Sequence, residues 1–167
     1  MSFINKTMVE IYTDGSCDTN YKIGAWVAIL LVETGTIVLS GTLTDTTHNR
    51  MELIAVIEAL EHLQAHHPSI STIRIYSDSQ YVINLTGRKE KLETAGFLSK
   101  KGTNLKNEDL LKHALNLFKT FTIEFIKVTA HKKRTETINF NIEADKLSRK
   151  IVREAVKAKG LPFTQVL

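Results

Sequence analysis

A chain of 167 residues with 43% apolar side chains has the length of one domain and enough apolar content to build a core. Its single cysteine, Cys17, excludes an internal disulfide, and its longest apolar run, Ala25 to Val32, is far short of the roughly 20 residues a bilayer span requires. The net charge of +4 is unevenly spread: residues 1–85 carry four Lys/Arg against nine Asp/Glu, residues 86–107 six against two, and residues 127–167 ten against four.

An acidic first half joined to a basic second half suits a site that needs carboxylates beside a surface that attracts phosphates. Met1–Thr7 has no apolar stretch of the kind a secretory signal carries, so the chain is expected to be soluble and cytoplasmic, with no membrane contact.

In chain order, Val9–Thr13 is rich in β-branched and aromatic residues and runs into the turn pair Asp14-Gly15, which predicts a strand ending there. Ala25–Val32 and Thr36–Leu43 predict two more strands joined by a hairpin turn at Thr34-Gly35. From Asn49 to about His66 the apolar residues Met51, Ile54, Ala55, Leu60 and Leu63 recur at helical steps, and Pro68 lies just beyond. His62, His66 and His67 cluster at this helix end and are read as solvated.

Ile73–Ser77 is a short alternating strand ending at Asp78, followed by a short helix over Ser79–Leu85. Residues 86–107 are polar and basic, with no assignable element. A helix over Asn107–Phe118, a strand over Thr122–Thr129, a loop over 130–140 and a helix over Ile142–Ala158, closed by Gly160 and Pro162, complete the chain. The order β-β-β-α-β-α-α-β-α predicts an α/β fold with a mixed five-stranded sheet flanked by helices. Its first three strands form an antiparallel meander and the rest add in parallel, all in one domain over residues 1–167.

Two carboxylates stand at the predicted C-terminal ends of strands, Asp14 and Asp78, where sheets with parallel strands bind ligands. Glu52 and Asp145 fall in the predicted first turns of helices, where an anion is also favoured by the helix dipole alone. Four carboxylates in one pocket require cations to offset their repulsion, and hard oxygen ligands select Mg²⁺ or Mn²⁺. Two such ions would suit in-line phosphodiester hydrolysis. No Cys/His cluster has zinc-site spacing, and no Gly-rich nucleotide loop is present.

The blocks Thr13-Asp14-Gly15-Ser16-Cys17, Asn49-Arg50-Met51-Glu52-Leu53 and Tyr76-Ser77-Asp78-Ser79-Gln80-Tyr81-Val82 occur in that order. His131 follows, then Asn141 and Ala144-Asp145-Lys146-Leu147-Ser148-Arg149. Together they resemble ribonuclease H of the bacterial type I group over about residues 8–155. The resemblance implies the ribonuclease H-like fold and an enzyme that hydrolyses the RNA strand of RNA–DNA hybrids with two Mg²⁺ ions, Mn²⁺ being a substitute. The products would carry 5′-phosphate and 3′-hydroxyl ends.

It further implies Asp14, Glu52, Asp78 and Asp145 as metal ligands, with Glu52 also reaching the RNA 2′-hydroxyl, and His131 as a mobile-loop group that moves protons or releases the cleaved phosphate. Cys17, Asn20, Asn49 and Gln80 match hybrid minor-groove contacts, and Thr47 and Asn107 match a pocket gripping a DNA-strand phosphate. The 86–107 segment, with Lys89, Lys91, Lys100 and Lys101, matches a basic protrusion that adds hybrid affinity through counterion release. The family core would span about 8–158, leaving a short apolar tail over 160–167, in a monomer with no obligate protein partner.

Three departures stand out. The turn Asn20–Trp26 keeps one glycine of the family's Gly/Pro-rich turn, His48 replaces the first of two adjacent asparagines, and the basic segment has Phe97 but no tryptophan. Trp26 itself is read as sheet core and Cys17 as a small packing side chain. The competing readings are a DNA nuclease or strand-transfer enzyme on a related fold, a hybrid-binding module that has lost its chemistry, and a detached reverse transcriptase domain. The intact carboxylate set disfavours the binding module. The few residues before the first strand would leave no room for a polymerase.

Overall fold

The computed structural model describes residues 8–129 and 139–161. Five strands form one sheet: β1 (Met8–Asp18), β2 (Ile23–Val32), β3 (Gly35–Thr44), β4 (Thr72–Ser77) and β5 (Thr122–Lys127), in the order β3-β2-β1-β4-β5. The β1, β2 and β3 meander is antiparallel, and β4 and β5 join β1 in parallel. This is the mixed five-stranded α/β architecture expected from the sequence.

Five helices complete it: α1 (His48–His66), α2 (Gln80–Ile83), α3 (Leu85–Thr94), α4 (Glu108–Phe118) and α5 (Phe140–Ala158). Among the described residues, no helix is long and apolar enough to cross a membrane.

The sheet is covered on both faces. Val9 and Ile11 alternate onto the face packed by α1, where Leu53, Val56, Leu60 and Leu63 meet Ile73 and Ile75 of β4. On the other face Val27 and Ile29 pack against Ala144 of α5, with Tyr12, Phe140 and Leu147 around them. Double coverage explains why the β2 run is apolar almost without alternation.

Four local differences from the sequence reading have physical causes. β1 does not stop at Asp14-Gly15; it continues to Asp18, because β2 supplies hydrogen-bonding partners from Val27 back to Ile23. The β2–β3 hairpin turns at Glu33-Thr34, with Gly35 already paired to Val32. Gly24 belongs to β2 rather than to a turn, and a Cβ there would lie 2.6 Å from Thr46 Cγ2 and 2.5 Å from Met51 Cγ.

The unassigned basic segment contains α3, followed by a tight turn at Ser99–Thr103 closed by a bridge between Leu98 and Asn104. It is pinned to the core by Leu85, Leu92 and Phe97. Phe97 takes a left-handed backbone (φ 59°) that a bulky residue rarely adopts, and its burial offsets the strain.

Candidate active site

The parallel pairing of β1 with β4 puts Tyr12 opposite Tyr76, and their rings stack at 4.5 Å. Asp14 and Asp78 each stand two residues further along, on the same side as these tyrosines because strand side chains alternate. Equal spacing from a matched pair therefore brings the two carboxylates to one level. Past Tyr12 the parallel ladder ends while β1 runs on with β2 alone, so Asp14 sits inside a strand and Asp78 just beyond one.

Glu52 arrives from α1. A Cβ on Gly15 would lie 2.4 Å from Glu52 N and 2.6 Å from Met51 C, so only glycine lets α1 come this close to β1. Asp14, Glu52 and Asp78 offer ligand oxygens within 4.8 Å of one another. Asp145, from α5, lines the same cleft of about 580 Å³, while its Oδ1 accepts from Arg149 Nε at 2.7 Å.

The helix-dipole explanation for two of these residues falls away. α1 starts at His48 with Thr47 as its cap, and α5 starts at Phe140 with Asn139 as its cap. Glu52 and Asp145 therefore lie in the second turns, not the first turns expected from the sequence, where the favourable end of the dipole has faded.

Electrostatics mark the cluster as strained without a cation. Asp14 is 5% exposed, and burial first, then the neighbouring Glu52, push its carboxyl up to about 7, against a lowering hydrogen bond from Ser148 Oγ. Glu52 is 1% exposed. Burial raises its pKa above the carboxylate range, opposed by His48 and by the Gly15 amide. Its Oε1 lies 3.2 Å from His48 Nε2, and its Oε2 is buried with no hydrogen-bond partner. The His48 imidazole is shifted upward by that hydrogen bond to Glu52. A buried carboxylate oxygen without a partner costs free energy. A hard divalent cation held by three oxygen donors meets that need, so the residues fit Mg²⁺ or Mn²⁺.

Of the remaining expected site residues, two line the cleft itself. Cys17 and Asn20 line it with His48, and the Cys17 thiol, 3.7 Å from Thr46 O, is pushed up chiefly by burial. Asn20 donates its backbone N–H to Asp18 Oδ1 in the β1–β2 loop. Asn49 is exposed in the first turn of α1. Gln80 opens α2 after the cap Ser79, its Nε2 donating to Asn84 Oδ1 at 2.6 Å.

Thr47 and Asn107 are joined through Arg50, whose backbone N–H donates to Thr47 Oγ1 and whose Nη1 donates to Asn107 Oδ1. Lys89 and Lys91 lie on α3, and Lys100 and Lys101 on the exposed Ser99–Thr103 turn. Trp26 packs over Gly41 beside α1 residues Ile54 and Ile57, but it is half-buried in a surface groove and belongs to no core cluster, so the expectation of sheet core is not met. His131 and the 130–138 part of the expected loop lie outside the described residues, as does the tail from 162 onward.

Sequence reasoning missed two contributors. Ser148 donates to Asp14 from α5 and is fully buried, a polar position its block displayed without a role. His48 reads in the sequence as the replacement of a groove asparagine, yet its spacing of four from Glu52 on one helix is the signal for the contact it makes.

The sheet order and the buried acidic centre define an α/β domain built around a carboxylate cluster fit for a metal ion. The RNase H family model matches residues 6–153. "Ribonuclease H" of Thermoanaerobacter sp. (strain X514) is 41% identical over 129 residues, covering 76% of this chain and 81% of that protein. "Ribonuclease H" of Caldanaerobacter subterraneus subsp. tengcongensis is 36% identical over 155 residues, covering 92% and 96%. The crystal structure titled "Crystal structure of LC9-RNase H1, a type 1 RNase H with the type 2 active-site motif" superposes with a TM-score of 0.73 at 22% identity, over 92% of this chain and 75% of that one, a likeness of fold. The chain belongs to the ribonuclease H family, and it is a nuclease of the hydrolase class.

Proposed function

We propose that this chain hydrolyses the RNA strand of RNA–DNA hybrids as a monomeric single-domain endonuclease, with Asp14, Glu52, Asp78 and Asp145 holding two Mg²⁺ ions, or Mn²⁺ in their place. The observation that carries the reading is the convergence of Asp14, Glu52 and Asp78 within 4.8 Å around an unpartnered Glu52 oxygen, in a chain of this family. When bound, such ions lower the pKa of an attacking water and stabilise the leaving oxygen of an in-line displacement.

The chain's own residues do the rest. Ser148 orients Asp14, and His48 holds Glu52 Oε1, leaving Oε2 free for a ligand. Glu52 would accept from the RNA 2′-hydroxyl, which DNA lacks, and so select the strand. Water oxygen bonds to phosphorus and the bond from phosphorus to the 3′ oxygen breaks, giving 5′-phosphate and 3′-hydroxyl ends. His131 would deliver or remove the proton of that exchange.

Cys17, Asn20, Asn49 and Gln80 would face the minor groove, while Thr47 and Asn107, bridged by Arg50, would grip a DNA-strand phosphate. Lys89, Lys91, Lys100 and Lys101 would add affinity by releasing counterions.

The test uses a hybrid labelled on its RNA strand, with Mg²⁺, and with EDTA, Asp78→Asn, single-stranded RNA and duplex or branched DNA as controls. Cleavage of hybrid RNA alone, with 5′-phosphate ends and lost both in EDTA and in Asp78→Asn, is the expected result. Folded protein that binds hybrid but cuts nothing with Mg²⁺ or Mn²⁺ would overturn the proposal in favour of a binding module.

A further inference from the structure

Three histidines cluster at the C-terminal end of α1, His62 and His66 within the helix and His67 as its C-cap. The His62 and His66 ring centres are 4.6 Å apart at an interplanar angle of 41°, and His67 lies 6.0 Å from His62. His62 and His66 are four residues apart, so they share one face of the helix. Among the described residues none of the three rings makes a hydrogen bond or an ion pair, so their nitrogens have no protein partner there.

The reading of these residues as solvated fits the exposed His66, in the last turn, better than His62. His62 is half-buried, and burial first, then the nearness of His66 and His67, lowers its pKa. A neutral imidazole exposes the lone pair that a metal needs.

We propose that His62 and His66 form a two-imidazole chelate for a borderline-soft divalent ion, Zn²⁺ or Ni²⁺, independent of the hard-ion site at the carboxylates. Imidazole nitrogen suits these ions, whereas carboxylate oxygen suits Mg²⁺. The spacing of the ring centres agrees. With metal–nitrogen bonds of about 2.1 Å and each ring centre about 1.1 Å further along the same line, two imidazoles on one ion have centres about 4.5 Å apart at a right angle and about 5 Å apart at the tetrahedral angle.

The observed 4.6 Å falls in that interval. The 6.0 Å to His67 would need an angle near ~140°, which neither geometry supplies. The three nitrogens do not converge as the carboxylate trio does, so waters complete the coordination and His67 stays outside it. A chelate of two side chains one helical turn apart would also clamp the end of α1 against fraying.

The test is calorimetric titration of Zn²⁺ into the full chain at pH 7.5 with excess Mg²⁺ present to occupy the carboxylates. It compares the parent with His62→Ala, His66→Ala and His67→Ala, each checked for native circular dichroism. A Zn²⁺ site weakened at least tenfold by His62→Ala and by His66→Ala, and less than twofold by His67→Ala, is expected. A second measurement needs no variant: substoichiometric Ni²⁺ should broaden the ring proton resonances of His62 and His66 first. Equal Zn²⁺ affinity in all four proteins, or broadening that spares both rings, would overturn the proposal. The hybrid-cleavage reading would stand either way, because no step of it uses these residues.

Discussion

Replacing Asp14 by Asn keeps the side chain's shape and its ability to accept from Ser148 Oγ, while removing its charge. In the metal-free protein this should stabilise the fold. Burial and the nearby Glu52 raise the Asp14 pKa from 3.8 to about 7. A raised carboxyl contributes stability that is fully present below its unfolded value and lost as pH rises through its folded value. Well above pH 7 the deprotonated residue therefore costs about 4 kcal/mol relative to the unfolded chain, from about 1.4 kcal/mol per pKa unit.

Asparagine has no such dependence. In EDTA at pH 8, urea unfolding should show Asp14→Asn more stable than the parent by about 3–4 kcal/mol, or on the order of 10 °C in Tm for a domain of this size. By pH 5 the gap should fall to less than half. Mg²⁺ should narrow it at pH 8 by binding the parent more tightly. Equal stability at pH 8 in EDTA, or a gap that does not shrink on acidification, would refute the electrostatic account of the cluster.

Two further substitutions probe what surrounds it. Gly15→Ala forces a methyl against the backbone of Met51 and Glu52, which cannot swing away as a side chain would. It should cost at least about 2 kcal/mol in thermal unfolding and lower the cleavage rate by displacing Glu52, whereas a small change in both would show that α1 can retreat without consequence. Exchanging Lys89, Lys91, Lys100 and Lys101 together for Ala should weaken hybrid binding. It should also flatten the slope of log affinity against log salt, by up to about 0.9 for each phosphate no longer neutralised; identical slopes in a filter-binding titration would return α3 and its turn to the status of solvated surface.

The sequence alone determined the strand and helix order over most of the chain, because apolar patterning is local and the β2 run and the amphipathic faces of α4 and α5 are strong. The family blocks pointed to Asp14, Glu52, Asp78 and Asp145 for the same reason, since each sits in a short run whose residue types are legible one after another. α3 escaped because it is polar, interrupted early by Gly87, and held by Leu85 and Leu92 alone, with Phe97 anchoring the chain just beyond it. That is a tertiary reason with little local trace.

Distance was beyond the sequence's reach. Whether carboxylates spread over three elements meet depends on the Tyr12–Tyr76 register and on how closely α1 approaches Gly15, both set by packing across the sheet. The same holds for Ser148, buried against a residue 134 positions earlier in the chain, and for His48, whose bond to Glu52 needs both the helix and its depth in the cleft. The residue types announced the chemistry; only the folded sheet decided that three carboxylates meet at one point, two of them buried, because their repulsion becomes costly only where water is excluded.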